Sequence, residues 1–385
     1  MLKNLYRIQK ILFAGFLLFC FGLTNSLAQE GYQFEEIKRL PATSVKNQGE
    51  TGTCWTFSTI SMLESELLRE GKGKYDLSEM FIVRQSYLDR AKLFVRFHGN
   101  LNFGPGAQAW DVINVLDEYG IVPQKAFHGL KVEKEYHSHS EMDRVLEGYM
   151  ESVIQNENEK LSTVWDNGLE GILTAYLGRY PENFTFEGKT HTPASFLSDL
   201  DINPEDYIPM TSFKNHSYFS TYVFESPDNW SMESIFNVPL DTFVDVIDEA
   251  IMKGFTVAWA ADVTDPGFSH SNGLAIVPEE SWDEMEEVEK EKVFTNPVEQ
   301  RKITEDMRLE AFNNQTTTDD HLMHIVGKAT DQKGNAYYIV KNSWGKENPF
   351  GGYLYVSEAY VKYKTTSIML NKKALSKDLR DKLTL

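Results

Sequence analysis

Cysteine is almost missing from this chain. Two occur in 385 residues, Cys20 and Cys54, which leaves no basis for a disulfide-stapled architecture. There is no internal repeat and no low-complexity tract, so solenoids and disordered tails are excluded. Beyond the first two dozen residues, no apolar stretch is long enough to cross a bilayer. Positive charge is scarce: 38 Lys and Arg stand against 57 Asp and Glu, a formal net charge of −19. Such a surface repels nucleic acid and anionic lipid and favours solubility. The expected partners are therefore peptide or protein substrates, with no nucleic acid and no cofactor or metal. No stable membrane association is expected after removal of the leader.

The first residues read as that leader. Lys3, Arg7 and Lys10 form a basic n-region, and Ile11 to Leu23 an apolar h-region. Ser26-Leu27-Ala28 then offers small residues ahead of a cut before Gln29. Residues 1–28 are thus expected to be a signal peptide, with the mature chain exported to a periplasmic or extracellular space. Removing them takes away three positive charges and Cys20, so Cys54 is left without a partner. A lone thiol in an oxidising compartment points to reactivity rather than to stapling.

What surrounds that thiol is informative. Gln48 stands six residues before Cys54, Trp55 follows it, and a helical pattern starts there, with Phe57, Ile60, Leu63 and Leu67 at three- and four-residue steps. Thr51 and Thr53 are candidate N-caps. Cys54 then falls in the first helical turn, where the partial positive charge of the helix end favours a thiolate. Far downstream come His321 and His324, and Asn342 in Asn342-Ser343-Trp344-Gly345. Cys, His and Asn, with Gln upstream, are the parts of a thiol-dependent acyl-transfer site. An imidazolium neighbour lowers a thiol pKa, and an Asn oxygen accepting from His Nδ1–H would fix the ring without adding charge. The Gln48 amide and the Cys54 backbone N–H would serve a developing oxyanion. His321 is preferred as the base: it opens a strand, whereas His324 lies inside an apolar run on the opposite face. His137 and His139, like the pair 321/324, lack the third ligand and the spacing of a zinc site.

The rest of the chain reads as α+β. Helices are expected over Leu77–Phe97, Trp110–Tyr119 and Asp241–Met252. A buried strand is expected over 255–263, a solvated acidic run over 279–293, and a hairpin of 321–330 with 336–341. Two more strands (352–357 and 365–370) and a charged helical tail close the chain. Residues 125–240 are mixed, aromatic-rich and punctuated by proline.

Gln48 to Phe57, Leu77-Ser78-Glu79, the Gly106/Trp110 region, His321 to Gly327 and Asn342 to Gly345 together resemble a papain-type cysteine peptidase. Leu177 to Thr185, Asn237-Val238-Pro239-Leu240, Val257-Ala258-Trp259, Arg308 to Phe312 and Asn371-Lys372-Lys373 make the chain most similar to the bleomycin hydrolase / aminopeptidase C branch. The resemblance implies a two-lobe papain-like fold with a large insertion. Residues 29–124 would form the helical lobe with the nucleophile, 125–240 the branch insertion, and 241–385 the β-rich lobe with His, Asn and a C-terminal tail. It implies a thiol protease, an aminopeptidase first and an open-cleft endopeptidase second; a catalytically silent peptide-binding protein is the third reading. Cys54 would be the nucleophile, His321 the acid/base, Asn342 its orienter and Gln48 the oxyanion donor. Gly104, Gly106 and Ala107 would hold substrate backbone. Trp344, also grouped with the substrate-binding residues, would keep water from the His–Asn bond. Relatives of this branch are typically cytosolic, form hexameric rings and place a C-terminal arm in the cleft. Here a leader is expected, Thr51 stands where many secreted relatives have a disulfide cysteine, and most of that arm is expected to be missing after the last expected strand.

Overall fold

The computed structural model describes residues 31–131, 136–157 and 160–385; the expected signal peptide and Cys20 lie outside them. In chain order the elements are β1 (Phe34–Arg39), α1 (Cys54–Arg69), α2 (Glu79–Arg96), α3 (Ala109–Tyr119), α4 (Ser140–Ile154) and α5 (Trp165–Tyr176). Next come β2 (Phe184–Phe186), β3 (Lys189–His191), α6 (Pro193–Leu200), β4 (Tyr207–Thr211), β5 (Ser220–Val223), β6 (Ser234–Asn237) and α7 (Leu240–Lys253). Then follow β7 (Val257–Ala261), β8 (Phe268–Ser269), β9 (Leu274–Ala275), α8 (Glu287–Val293) and α9 (Glu305–Asn313). The chain closes with β10 (His321–Asp331), β11 (Ala336–Lys341), β12 (Tyr353–Ser357), α10 (Glu358–Lys364), β13 (Thr365–Asn371) and α11 (Lys377–Leu383). Apart from the β2–β3 hairpin, the strands form one mixed sheet in the order β5-β6-β4-β13-β7-β10-β11-β12-β9-β8, with β1 also on β10. This is an α+β, papain-like arrangement.

Two apolar layers flank the sheet. In β7, Ala258 and Ala260 belong to the layer of α1, α2 and α3, while Val257, Trp259 and Ala261 belong to that of α7 and α10. Period-two alternation sends successive side chains to opposite faces, so a strand covered on both reads as continuously apolar. The last helix packs Leu379 and Leu383 into the second layer, on the face away from α1.

The helix starts follow local chemistry. Ser78 caps α2 by accepting from Phe81 N–H at 3.1 Å. Thr53 occupies the cap position of α1 but gives no side-chain cap. Its hydroxyl pairs with that of Thr51 at 2.6 Å instead, so the expected threonine cap is not formed. Helix α1 is also not one-sided: every residue from Cys54 to Leu67 is buried. Three of its polar residues find partners on other segments, whereas the hydroxyls of Thr59 and Ser65 have none among the described residues. Ser58 Oγ donates to Met323 O at 2.5 Å, Ser61 Oγ meets His324 Nδ1 at 2.8 Å, and Glu64 accepts from Leu77 N–H at 2.9 Å.

Arg308 on α9 is 1% exposed. It donates from Nε to Ser212 O at 2.6 Å and from Nη1 to Lys362 O at 3.1 Å, and lies 4.5 Å over the Phe213 ring. It thereby ties residues from three distant segments. Substituting Met removes the charge but strands two buried carbonyls, each costing roughly 1–3 kcal/mol. Arg308→Met is expected to lower unfolding free energy by about 3 kcal/mol, read as a shifted urea midpoint; an unchanged midpoint would contradict the role given to this side chain.

Candidate active site

Segment 46–48 runs beside segment 343–345. Gln48 N–H donates to Ser343 O at 2.8 Å and Gly345 N–H to Lys46 O at 3.2 Å. The register of β10 on β11 pairs His324 with Lys341. Extending it beyond the ladder brings Asn342 to Trp344 alongside the first residues of β10. His321 and Asn342 consequently meet: His321 Nε2 lies 2.8 Å from Asn342 Oδ1, which also accepts from Ser343 N–H at 2.7 Å. The nitrogen facing Asn342 is therefore Nε2, not the Nδ1 expected from the sequence. The ring is oriented by a partner arriving from the β11 end, and Nδ1 is the atom left for the cleft. Trp344 lies over His321 with ring centroids 4.5 Å apart.

Cys54 opens α1 and is 8% exposed. Burial pushes its thiol up to about 12. Backbone hydrogen bonding from Leu322 and Trp55 opposes that shift, while the charges of Asp228 and Asp319 add to it. Burial also takes His321 down to about 4, against its bond to Asn342. These shifts favour neutral thiol and neutral imidazole. Proton transfer from sulfur to the imidazole would create both charges together, leaving the net charge unchanged and letting each stabilise the other.

Gln48 is held at both ends of its amide. Nε2 donates to Thr51 O at 2.7 Å, and Oε1 accepts from Ser343 Oγ at 2.6 Å. One Nε2–H bond remains available. The Cys54 N–H, at the first helical position, has no partner among the described residues.

The loop of Gly104, Gly106 and Ala107 joins α2 to α3 and packs directly on the segment around Cys54. Trp55 Nε1 donates to Pro105 O at 3.0 Å. A Cβ on Gly52 would fall 2.7 Å from Pro105 Cγ. A Cβ on Gly106 would sit 2.2 Å from an Asp228 carboxylate oxygen, so a larger residue there would displace that side chain; Gly104 faces open space.

His324 lies elsewhere. It is fully buried against Ser61, on the α1 face of the sheet. His137 and His139 form an edge-to-face pair at 5.7 Å, before α4.

Four residues around this site carried no sequence signal. His270 accepts from Asn342 Nδ2 at 3.3 Å through Nδ1 and lies edge-on to Trp344 at 5.1 Å. Arg90, 2% exposed, clamps the carbonyls of both Gly104 and Gly106 and lies 4.8 Å over the Trp230 ring. Asp319, two residues before His321, accepts from Gln108, from Ser226 Oγ at 2.6 Å and from Thr366 Oγ1 at 2.8 Å. Asp228 covers Gly106 and accepts from Asn102 Nδ2 at 3.0 Å.

A buried thiol at a helix start, and a histidine fixed by an asparagine under a tryptophan, are the centre of this candidate site. The Peptidase C1-like family matches residues 102–385, and the Papain family cysteine protease description matches residues 32–167. The chain belongs to the peptidase C1-like family. This C1-like peptidase is 23% identical to Aminopeptidase G of Lactobacillus delbrueckii subsp. lactis, over 90% of its own length and 84% of the relative. It is 24% identical to Aminopeptidase C of Lactococcus lactis subsp. cremoris (93% and 88% covered) and 23% identical to Bleomycin hydrolase of Rattus norvegicus (90% and 84% covered). The crystal structure of PepW from Lactobacillus rhamnosis HN001 shares its fold, with a TM-score of 0.72 at 18% identity, covering 91% of this chain and 84% of that one. The C1-like peptidase is thus a cysteine-type peptidase with aminopeptidase and bleomycin hydrolase relatives.

Proposed function

We propose that this peptidase is an exported aminopeptidase that cleaves peptide bonds through an acyl-enzyme on Cys54. The observation that carries the reading is the His321 Nε2–Asn342 Oδ1 bond at 2.8 Å, with the residue that follows His321, Leu322, hydrogen-bonding through its backbone to the Cys54 thiol.

In this mechanism Cys54 gives its proton to His321 Nδ1, and Sγ attacks the scissile carbonyl carbon. The C–O π electrons move to oxygen, where the Cys54 N–H and the free Gln48 Nε2–H receive the charge. Each such donor contributes on the order of 10²–10³ in rate. Collapse of the tetrahedral adduct expels the amine, which takes the proton from His321 and leaves a thioester. Water, deprotonated by His321, attacks that thioester; the proton returns to sulfur and the acid is released. Asn342 holds the ring in the orientation that keeps Nδ1 toward the sulfur, and Trp344 covers the bond from water.

Aminopeptidase relatives and the acidic cleft beside Gly106 favour exopeptidase action over the endopeptidase alternative. The leader favours export. The test uses protein recovered outside the cytoplasm, expected to begin at Gln29, with leucyl-aminomethylcoumarin as substrate. Hydrolysis should vanish in proportion to carboxymethylation of Cys54 by iodoacetate. Undiminished turnover after stoichiometric alkylation would overturn the assignment.

A further inference from the structure

An extended substrate beside the Gly104–Ala107 loop needs two kinds of partner: donors for its carbonyls and acceptors for its N–H groups. Three of the loop's carbonyls are already engaged. Arg90 takes the carbonyls of Gly104 and Gly106, and Trp55 takes that of Pro105. The charged acceptor on this wall is the Asp228 carboxylate. It lies against the Cα of Gly106, near enough to Cys54 and Arg90 to affect their charges, and it is partly open to solvent. It has one hydrogen-bond donor, Asn102, and no ion-pair partner at salt-bridge distance among the described residues. An acidic acceptor replaces the neutral carbonyls that would suit an ordinary peptide N–H, so this wall suits a cation better than an amide.

We infer that Asp228 is the specificity-determining residue of the cleft, receiving a positively charged amine of the substrate on the acyl side of the scissile bond. The inference rests on the aminopeptidase reading above and adds to it the group that selects the substrate. Two sources supply that chemistry, the peptide's α-ammonium and a Lys or Arg side chain; a true aminopeptidase uses the first. Burial, with Asp319 next, raises the carboxyl to about 6 despite Arg90 and Asn102. The carboxylate therefore forms as pH rises through about 6, while the substrate α-amine loses its proton near 8. Between these limits both charges are present.

The experiment compares wild type with Asp228→Asn. Asparagine keeps the shape and can still accept from Asn102. Four substrates are used: leucyl- and alanyl-leucyl-aminomethylcoumarin, each with a free and an acetylated amine; acetyl-leucyl-arginyl-aminomethylcoumarin is a fifth. The readout is the ratio of kcat/KM for free over blocked substrate, which does not depend on the fraction of active enzyme. Wild type is expected to favour the free amine, and Asp228→Asn to lower that ratio roughly 10- to 100-fold, the worth of a hydrogen bond to a charged group. The acid limb of kcat/KM near pH 6 should disappear with it. A preference for the blocked arginyl substrate that the variant abolishes supports the same carboxylate acting on a side-chain cation. An equal fall for free and blocked substrates, with both pH limbs kept, would overturn the inference while leaving the peptidase assignment intact. Absence of all hydrolysis by wild type would instead count against the proposed function.

Discussion

Cys54→Ala is expected to lower kcat for peptide hydrolysis by on the order of 10⁴–10⁶, the scale seen when a covalent nucleophile is removed from a unit of cooperating residues. The sulfur atom is the only part of the side chain that is lost. It is buried at the start of α1, so the cavity left is small and about 1 kcal/mol of stability or less is at stake. The variant should fold, retain substrate binding and show no acyl-enzyme burst. Near-wild-type turnover by a folded variant would show that the reaction does not pass through this thiol. Cys54 is also the single cysteine among the described residues, so the labelling stoichiometry that accompanies this measurement has one interpretation.

The two histidines of β10 should separate cleanly. His321→Ala is expected to reduce kcat by on the order of 10³–10⁵, because in the proposed mechanism it removes the group that takes the proton from sulfur and returns it to the leaving amine. His324→Ala should leave kcat within a few-fold. It should instead cost roughly 2 kcal/mol, since it opens a cavity and frees the buried Ser61 hydroxyl. Both rings are held neutral, His324 well below its ordinary value and His321 at about 4, with burial the leading cause in each. A histidine whose folded pKa is depressed binds fewer protons when folded. Its contribution to stability is complete above the unfolded value of about 6.5 and is lost as pH falls from there toward the folded value. The acid-induced loss of stability should therefore be shallower in His324→Ala than in wild type. Activity lost through residue 324 and spared through 321 would reverse the assignment of the base.

Much of this arrangement was legible in the sequence, for identifiable reasons. The run from Phe57 to Leu67 and the Ser78-Glu79 start of α2 carry local periodicity and capping chemistry, which act over a few residues. The turn at 331–335 fixed the β10–β11 hairpin in the same local way, and the Cys, His and Asn motifs stood out by their order. What escaped was set by approach in three dimensions. Helix α1 has polar residues at Ser58, Ser61 and Glu64 that the apolar periodicity leaves unassigned, and each is buried against a partner on another segment. The nitrogen of His321 that meets Asn342 depends on the side from which β11 delivers that residue. His270 and Asn342 are separated by 72 residues, and Asn102 and Asp228 by 126; no local pattern links such pairs. Arg90 looks like any charged residue on an exposed helix until the glycine loop folds onto it.

Asp319 gives the molecule a particular kind of interdependence. Its two oxygens collect Gln108 from the glycine loop, Ser226 from the approach to β6 and Thr366 from β13, and the chain reaches His321 two residues later. The floor of the cleft, one of its walls and the root of its base thus share one fastening. Transplanting the 212–237 stretch from another peptidase, as a way of altering selectivity, would import a new loop without the hydroxyl that this fastening needs. Such chimeras should be built with a serine or threonine retained at 226, or they will disturb turnover while aiming at preference.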